Sequence, residues 1–215
     1  MTSKDLTRRR LLDATVVCLI EHGYARTTSS QIAATAGLSE GTIFKHFGTK
    51  PGLYGAVAEY VLSDVRADAL RAFLDADPDQ DPIDRAVLIA WDVYRRDDLV
   101  AVHELFTVAR TNPDLATRLQ TLDAPHREAL HELAAASLPA EAAARPDFNA
   151  IVDLILDAIG DRHLWVGHRD DAGAQAAALA LILRTAHLLL SHPTDDVTSS
   201  QPRTSGRTRP TGELQ

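Results

Sequence analysis

At 215 residues the chain is long enough for a sizeable core in one or two domains, and at 45% hydrophobic and 24% charged it has the balance of an ordinary globular protein. A single cysteine, Cys18, excludes an intrachain disulfide, and aromatics at only 5% beside abundant Ala and Leu favour helix packing over sheets. The net charge of −8 argues against nucleic acid until its distribution is read: residues 1–60 carry seven Lys/Arg against five Asp/Glu, and the remainder 15 against 25. Only this mildly basic head can lie against phosphate without repulsion. The first residues hold no apolar stretch of signal-peptide type, which predicts a cytoplasmic protein.

Apolar residues recur at helical spacing through nearly the whole chain, and no run alternates like a strand. The first predicted helix covers about 6–22, with Leu12, Val16 and Leu19 on one face and Gly23 as its stop. Cys18 sits among Val16, Val17, Leu19 and Ile20 and reads as core. A short helix follows over 28–36, with Thr28 or Ser29 as N-cap. Gly37-Leu38-Ser39 makes a tight turn, and a second short helix covers 40–47. Gly48 breaks it, and Thr49 caps a long helix that carries Pro51 in its first turn and continues to about 76. The acidic, proline-punctuated segment 75–82 reads as a loop between domains. Helices are then predicted at 83–96, 98–111, 113–137, 147–168 and 172–191, and residues 193–215, almost without apolar side chains, as a disordered tail.

These elements predict an all-α fold. An N-terminal three-helix, helix-turn-helix DNA-binding domain spans 1–50, a connecting helix and loop 51–82, and a C-terminal helical ligand-binding and dimerisation domain 83–192. The stretch 172–191 is long enough to cross a membrane, but Arg184 inside it would cost about 2.5–3.5 kcal/mol on insertion scales. A buried helix explains it better.

The segment from Gln31 to Leu53 carries the most information. Two short helices joined by a glycine-containing turn form the helix-turn-helix arrangement. Ile32 and Ala33 face the next helix, Gly37 permits a left-handed backbone, and Leu38 and Ile43 pin the second helix. That leaves Glu40, Gly41, Thr42, Phe44, Lys45 and His46 mostly outward, on a helix of the length a major groove accepts. Packing alone accounts for Leu38, Ile43 and Phe47. Glu40 has two readings, a hydrogen-bond acceptor for cytosine N4 or a partner of the helix dipole.

Residues 8–55 resemble the DNA-binding domain of the TetR family. The likeness rests on R-x-x-L-L-x-A ending at Asp13-Ala14, on Gly23-Tyr24, and on T-x-x-x-I-A from Thr28 to Ala33. It continues through A-G-L-S-x-G-T-I-F-x-H-F from Ala36 to Phe47 and T-K-x-x-L from Thr49 to Leu53. The resemblance implies that Thr28 and Ser29 meet a phosphate, with Ser30 and Gln31 beside them. It implies that Glu40, Gly41 and Thr42 face bases, that Lys45 and His46 follow on the same helix, and that Lys50 reaches the DNA backbone. Phe44 stands where the family usually has a tyrosine whose hydroxyl touches phosphate, so here the contact becomes apolar. Arg8, Arg9 and Arg10 are expected to supply further phosphate contacts or reach toward the minor groove, with a merely solvated chain end as the alternative.

The body, 83–191, follows family regulatory domains in helical layout alone. Its last two helices are apolar around more than one face, which implies a second buried face supplied by a partner subunit, and hence a homodimer on double-stranded operator DNA. Trp91, Tyr94, His103, Phe106, Phe148 and Trp165 are candidate pocket residues for an unidentified small-molecule effector, with core packing as the alternative. His126 and His131, like His163 and His168, are five apart and off one helical face, so neither a metal nor another cofactor is expected. No nucleophile elbow, phosphate loop or metal-ligand spacing points to an enzyme. The reading is a ligand-responsive repressor. The alternatives are an activator or DNA-organising protein with the same head, or a helical ligand-binding protein that has lost DNA binding.

Overall fold

A computed structural model describes residues 2–164 and 171–191, and every regular element among them is an α-helix. Trp165, His168 and the tail from 193 onward lie outside the described residues.

Helix α1 (Ser3–Arg26) begins with Thr2 and Asp5 exchanging side-chain and backbone hydrogen bonds, which satisfies the first free N–H groups. The sequence placed its end at 22. The helix instead reaches Arg26, with Gly23 at φ +72° as a break inside it rather than its stop. Buried Thr27 closes this end, its hydroxyl lying 2.8 Å from Gly23 O and 3.0 Å from Cys18 O. Cys18 itself is buried beside it.

Helix α2 (Ser29–Ala36) is capped reciprocally by Thr28 and Gln31, and it ends at Gly37. Gly37 sits at φ +63°, ψ +39°, the left-handed conformation that costs a non-glycine residue about 1–2 kcal/mol. Gly37→Ala is therefore expected to lower stability by about that amount, read as a drop in the unfolding midpoint with the far-ultraviolet circular dichroism spectrum unchanged. Helix α3 (Glu40–Phe47) buries Ile43 and half-buries Leu38 before it and Phe47 at its end. Helix α4 (Lys50–Asp75) starts from Thr49, whose hydroxyl accepts from Gly52 N at 3.1 Å.

Beyond the 76–81 loop come α5 (Pro82–Tyr94), α6 (Asp97–Ala109), α7 (Pro113–Ser137), α8 (Ala140–Ala143), α9 (Phe148–Leu164) and α10 (Ala172–Ser191). The single-turn α8 has no periodicity to announce it and is absent from the sequence reading.

Two cores form. The first joins Leu11, Leu19, Ile32, Ile43, Leu53 and Val57 of the head to Ala101, Val102 and Leu105 of α6 and to Leu115 and Leu119 of α7. The second lies among α5, α8, α9 and α10, around Ile83, Trp91, Phe148, Ile155, Ile159, Ala186 and Leu190. The head thus shares its core with α6 and the start of α7, so a displacement of α6 cannot leave the head untouched. Helix α10 is little covered by its own chain. Within one chain only Ala186 and Leu190 are buried, and Leu181 and Leu188 stay exposed, although by length and composition the helix could cross a membrane.

Candidate nucleic-acid interface and effector cavity

The interface is built on α3. With Ile43 fully buried underneath, the helix turns Glu40, Gly41, Phe44 and Lys45 to solvent, and half-exposes Thr42 and His46. The Thr42 hydroxyl lies 2.9 Å from that of Ser39, and the His46 ring tilts against Phe47 at 6.2 Å. Phe44 is 44% exposed, unusual for a ring with nothing to cover it. Gly41 needs no internal explanation: a methyl group built there meets nothing within 4 Å.

Around this helix the basic residues are fixed rather than trailing. Arg8 lies over the Phe47 ring at 5.2 Å, and Arg9 over the Tyr60 ring at 5.6 Å. The Tyr60 hydroxyl donates to Asp13 at 2.8 Å; burial, then this carboxylate, push it up to about 12. Arg10 donates from Nη2 to Ala36 O at 2.6 Å, closing the carboxyl end of α2, where a cation also meets the helix dipole favourably. Lys50 donates from Nζ to Thr27 O at 2.6 Å and sits over Tyr24 and Tyr54, and burial pushes its ammonium below the usual lysine range. Thr28, Ser29 and Ser30 open α2 close by, the Thr28 hydroxyl donating to Gln31 Oε1 at 2.9 Å.

The junction between head and body was not anticipated. The Glu104 carboxylate of α6 accepts from Tyr24 N at 2.8 Å, next to the Gly23 break. Asn112 caps α7 through Leu115 N and donates to the Tyr24 hydroxyl at 3.2 Å. Helix α6 presents His103 and Phe106 on its other side to a cavity of about 410 Å³ that also has Tyr94, Leu62, Val65 and Leu156 in its wall. The six candidate pocket residues therefore separate. Tyr94, His103 and Phe106 share this cavity; Trp91 and Phe148 are buried in the second core and each also borders a different hollow, Trp91 beside His163 and Leu179 and Phe148 beside His131 and Asn149; Trp165 is outside the described residues. A nearly apolar void nearby, with Phe73, Ile89 and Leu133 in its wall, measures about 80 Å³ and has room for only a few atoms.

Among the described residues one cluster has metal-ligand character. His187 Nε2 lies 2.8 Å from Asp84 Oδ1 and 3.6 Å from Asp81 Oδ1, but Asp81 is already the N-cap of α5, accepting from Ile83 N and Asp84 N. Capping and a His–Asp contact account for it.

An eight-residue helix with Ile43 buried beneath it and Glu40, Gly41, Phe44 and Lys45 turned outward, delivered by a glycine turn, has the form of the second helix of a helix-turn-helix. Residues 11–57 match the profile of bacterial regulatory proteins of the tetR family. An HTH-type transcriptional regulator of Mycobacterium tuberculosis is 30% identical over 152 residues, covering 71% of this chain and 78% of the relative. YvkB of Bacillus subtilis, also an HTH-type transcriptional regulator, is 45% identical over 51 residues, 24% of this chain and 27% of its own. Among solved structures, Salmonella enterica GusR superposes with a TM-score of 0.64 at 22% identity, covering 89% of this chain and 99% of GusR. A TetR transcription regulator from Haloarcula marismortui gives 0.64 at 19% identity over 86% and 99%. The chain belongs to the TetR family of transcriptional regulators.

Proposed function

We propose that this regulator is a cytoplasmic homodimeric repressor that a small-molecule effector releases from its operator. The observation that carries the reading is the α3 face, where a side-chain-free Gly41 with open space around it lies between exposed Glu40 and half-exposed Thr42. Glu40, Gly41 and Thr42 face base edges, Phe44 makes apolar contact such as with a thymine methyl, and Lys45 and His46 follow along the groove. Arg8, Arg9, Thr28, Ser29, Ser30 and Lys50 meet phosphate and set the register. Lys50, tethered to Thr27 O, places its charge beside the start of α2. Head, connecting helix and body divide near 50 and 82 in function, although the core crosses both.

The partner subunit covers α9 and α10, where Leu154, Leu181 and Leu188 are each more than half exposed in the single chain. The effector enters the cavity beside Tyr94, His103 and Phe106 and favours a dimer whose two heads are wrongly spaced for adjacent major grooves.

Selection of bound duplexes from a random pool, followed by footprinting, tests this. A palindromic site with half-sites about one helical turn apart is the expected result, and no enrichment of any sequence would sink it. On that duplex, Phe44→Tyr is expected to tighten binding roughly two- to tenfold, the value of one regained hydrogen bond of about 0.5–1.5 kcal/mol. An unchanged affinity in a fluorescence anisotropy titration would mean that no phosphate lies beyond the ring.

A further inference from the structure

Helix α3 is held by little burial of its own. Of its eight residues only Ile43 is buried, with Leu38 before it and Phe47 at its end half-covered. That is below the roughly 12–15 residues at which an isolated helix becomes even marginal. The direction in which Glu40, Gly41 and Thr42 point is therefore set by what grips the two ends of α3. Both grips come from the N-terminal half of α1. At the far end the Arg8 guanidinium lies over the Phe47 ring at 5.2 Å. At the near end Arg10 reaches Ala36, the last residue of α2 before the turn.

The turn explains why that residue needs a partner from outside. Gly37 N donates to Ala34 O at 3.0 Å and Leu38 N to Ala33 O at 2.9 Å, so the amides that follow α2 are spent on carbonyls further back. The Ala36 carbonyl lies beyond that ladder, in a residue only 6% exposed, and Arg10 Nη2 donates to it at 2.6 Å. Left alone, a covered carbonyl at a helix end is costly. Gly37 keeps the space clear, since a Cβ there would stand 3.1 Å from Arg10 Nη2. A guanidinium is a planar, rigid fork, so committing Nη2 to the turn also fixes the rest of the group.

We propose that Arg10 is a positioning residue for sequence reading: it touches no phosphate, and by holding Ala36 O it sets the angle at which the turn delivers α3 to the groove. The proposal rests on the reading of α3 as the base-facing helix and adds to it a residue that acts through the protein. It divides three arginines that look alike in sequence. Arg8 and Arg9 meet phosphate, whereas Arg10 governs how well bases are told apart. Phosphate contacts carry no sequence information, and base contacts demand close placement of the reading helix. Loss of Arg10 therefore costs specificity and spares the electrostatic part of binding.

The full chain is titrated by fluorescence anisotropy, at several salt concentrations, against the duplex recovered in the selection above and a scrambled duplex of the same length and composition. Arg10→Met keeps the apolar stem and removes donor and charge, Arg10→Lys keeps both, and Arg9→Met is the phosphate comparison. Arg10 is exposed on the surface of α1, so its variants keep the parent fold. Arg10→Met is expected to weaken the selected duplex about tenfold, to bind the scrambled one within about twofold of the parent, and to keep the parent's salt slope. Arg10→Lys should stay within about threefold of the parent on both duplexes, since an ammonium can still donate to the carbonyl. Arg9→Met should weaken both duplexes alike and lower the salt slope by about 0.9, the value of one phosphate. The same parallel loss in Arg10→Met would make Arg10 a phosphate contact and overturn the proposal while leaving α3 in the groove. A lowered unfolding midpoint with both affinities unchanged would reduce Arg10 to a stabilising cap and overturn it as well. A parent that binds the two duplexes equally overturns the groove reading itself, and this proposal with it.

Discussion

Replacing Gly41 by leucine is expected to leave thermal unfolding unchanged or slightly raised and to weaken operator binding by roughly a hundredfold or more, the loss of two base contacts at about 1–3 kcal/mol each. Glycine in a helix interior is a cost, on the order of 1 kcal/mol against alanine, so its presence needs a reason. The two glycines near this point have different reasons. At Gly52, in the first turn of α4, a Cβ would collide with the Phe47 carbonyl, so the chain itself forbids a side chain. At Gly41 nothing stands within 4 Å, and its backbone is ordinary helix. A larger residue at Gly41 therefore disturbs no internal contact and should even raise helix propensity. What it obstructs is the approach of another molecule to the α3 backbone. Gly52→Ala supplies the contrast: an expected fall in unfolding midpoint, worth about 1–3 kcal/mol of overpacking, with DNA binding lost only as the head loosens. Anisotropy titration and thermal melts on the two variants separate these outcomes. Retained operator affinity in Gly41→Leu would remove α3 from the groove.

The difference between what the sequence tells and what it hides follows contact distance. Helix α3 is read to its end residues, because Ser39, the Gly37 turn and the Gly48 break are all local punctuation. The α3 outer face is legible for the same reason: once Ile43 is assigned inward, helical period assigns the rest. Arg10, Lys50 and Glu104 could not be read this way. Their partners Ala36 O, Thr27 O and Tyr24 N lie 26, 23 and 80 residues away, and all three are backbone atoms that leave no mark in composition. The candidate pocket set went only as far as aromatic content goes. Trp91 and Phe148 share aromatic character and helical setting with Tyr94 and Phe106, and only packing decides which of them meet in one cavity. The apolar excess of α10 was visible in sequence, but whether its own chain covers it depends on how α5 and α9 dock.

Glu104→Ala is expected to uncouple head from body, weakening ligand-free operator binding by about 5–150-fold, the 1–3 kcal/mol range of coupling energies. The argument begins with the periodicity of α6. Ala101, Glu104 and Leu105 face the head, the first and last within its core, while Leu99, His103 and Phe106 face the cavity. Any shift of α6 that makes room for a guest thus moves the Glu104 carboxylate. That carboxylate is the acceptor for Tyr24 N where Gly23 interrupts α1, and an unpaired, partly buried N–H costs about 1–3 kcal/mol. Tyr24 passes the constraint on. Its ring packs on Tyr54 of α4 at 5.3 Å, and Lys50, which lies over both rings, holds Thr27 O at the entrance to α2. One carboxylate on the effector side therefore fixes the residues that orient α2 and α3. Glu104→Gln separates charge from geometry, since the amide oxygen can still accept from Tyr24 N; it should stay within a few-fold of the parent, whereas the alanine variant should not. Amide hydrogen exchange gives the local readout. In Glu104→Ala the N–H groups of residues 24–27 should exchange faster while those of α9 and α10 keep their protection. Uniform loss of protection would mean that Glu104 serves global stability, and operator affinity unchanged in both variants would remove α6 from the path between cavity and DNA.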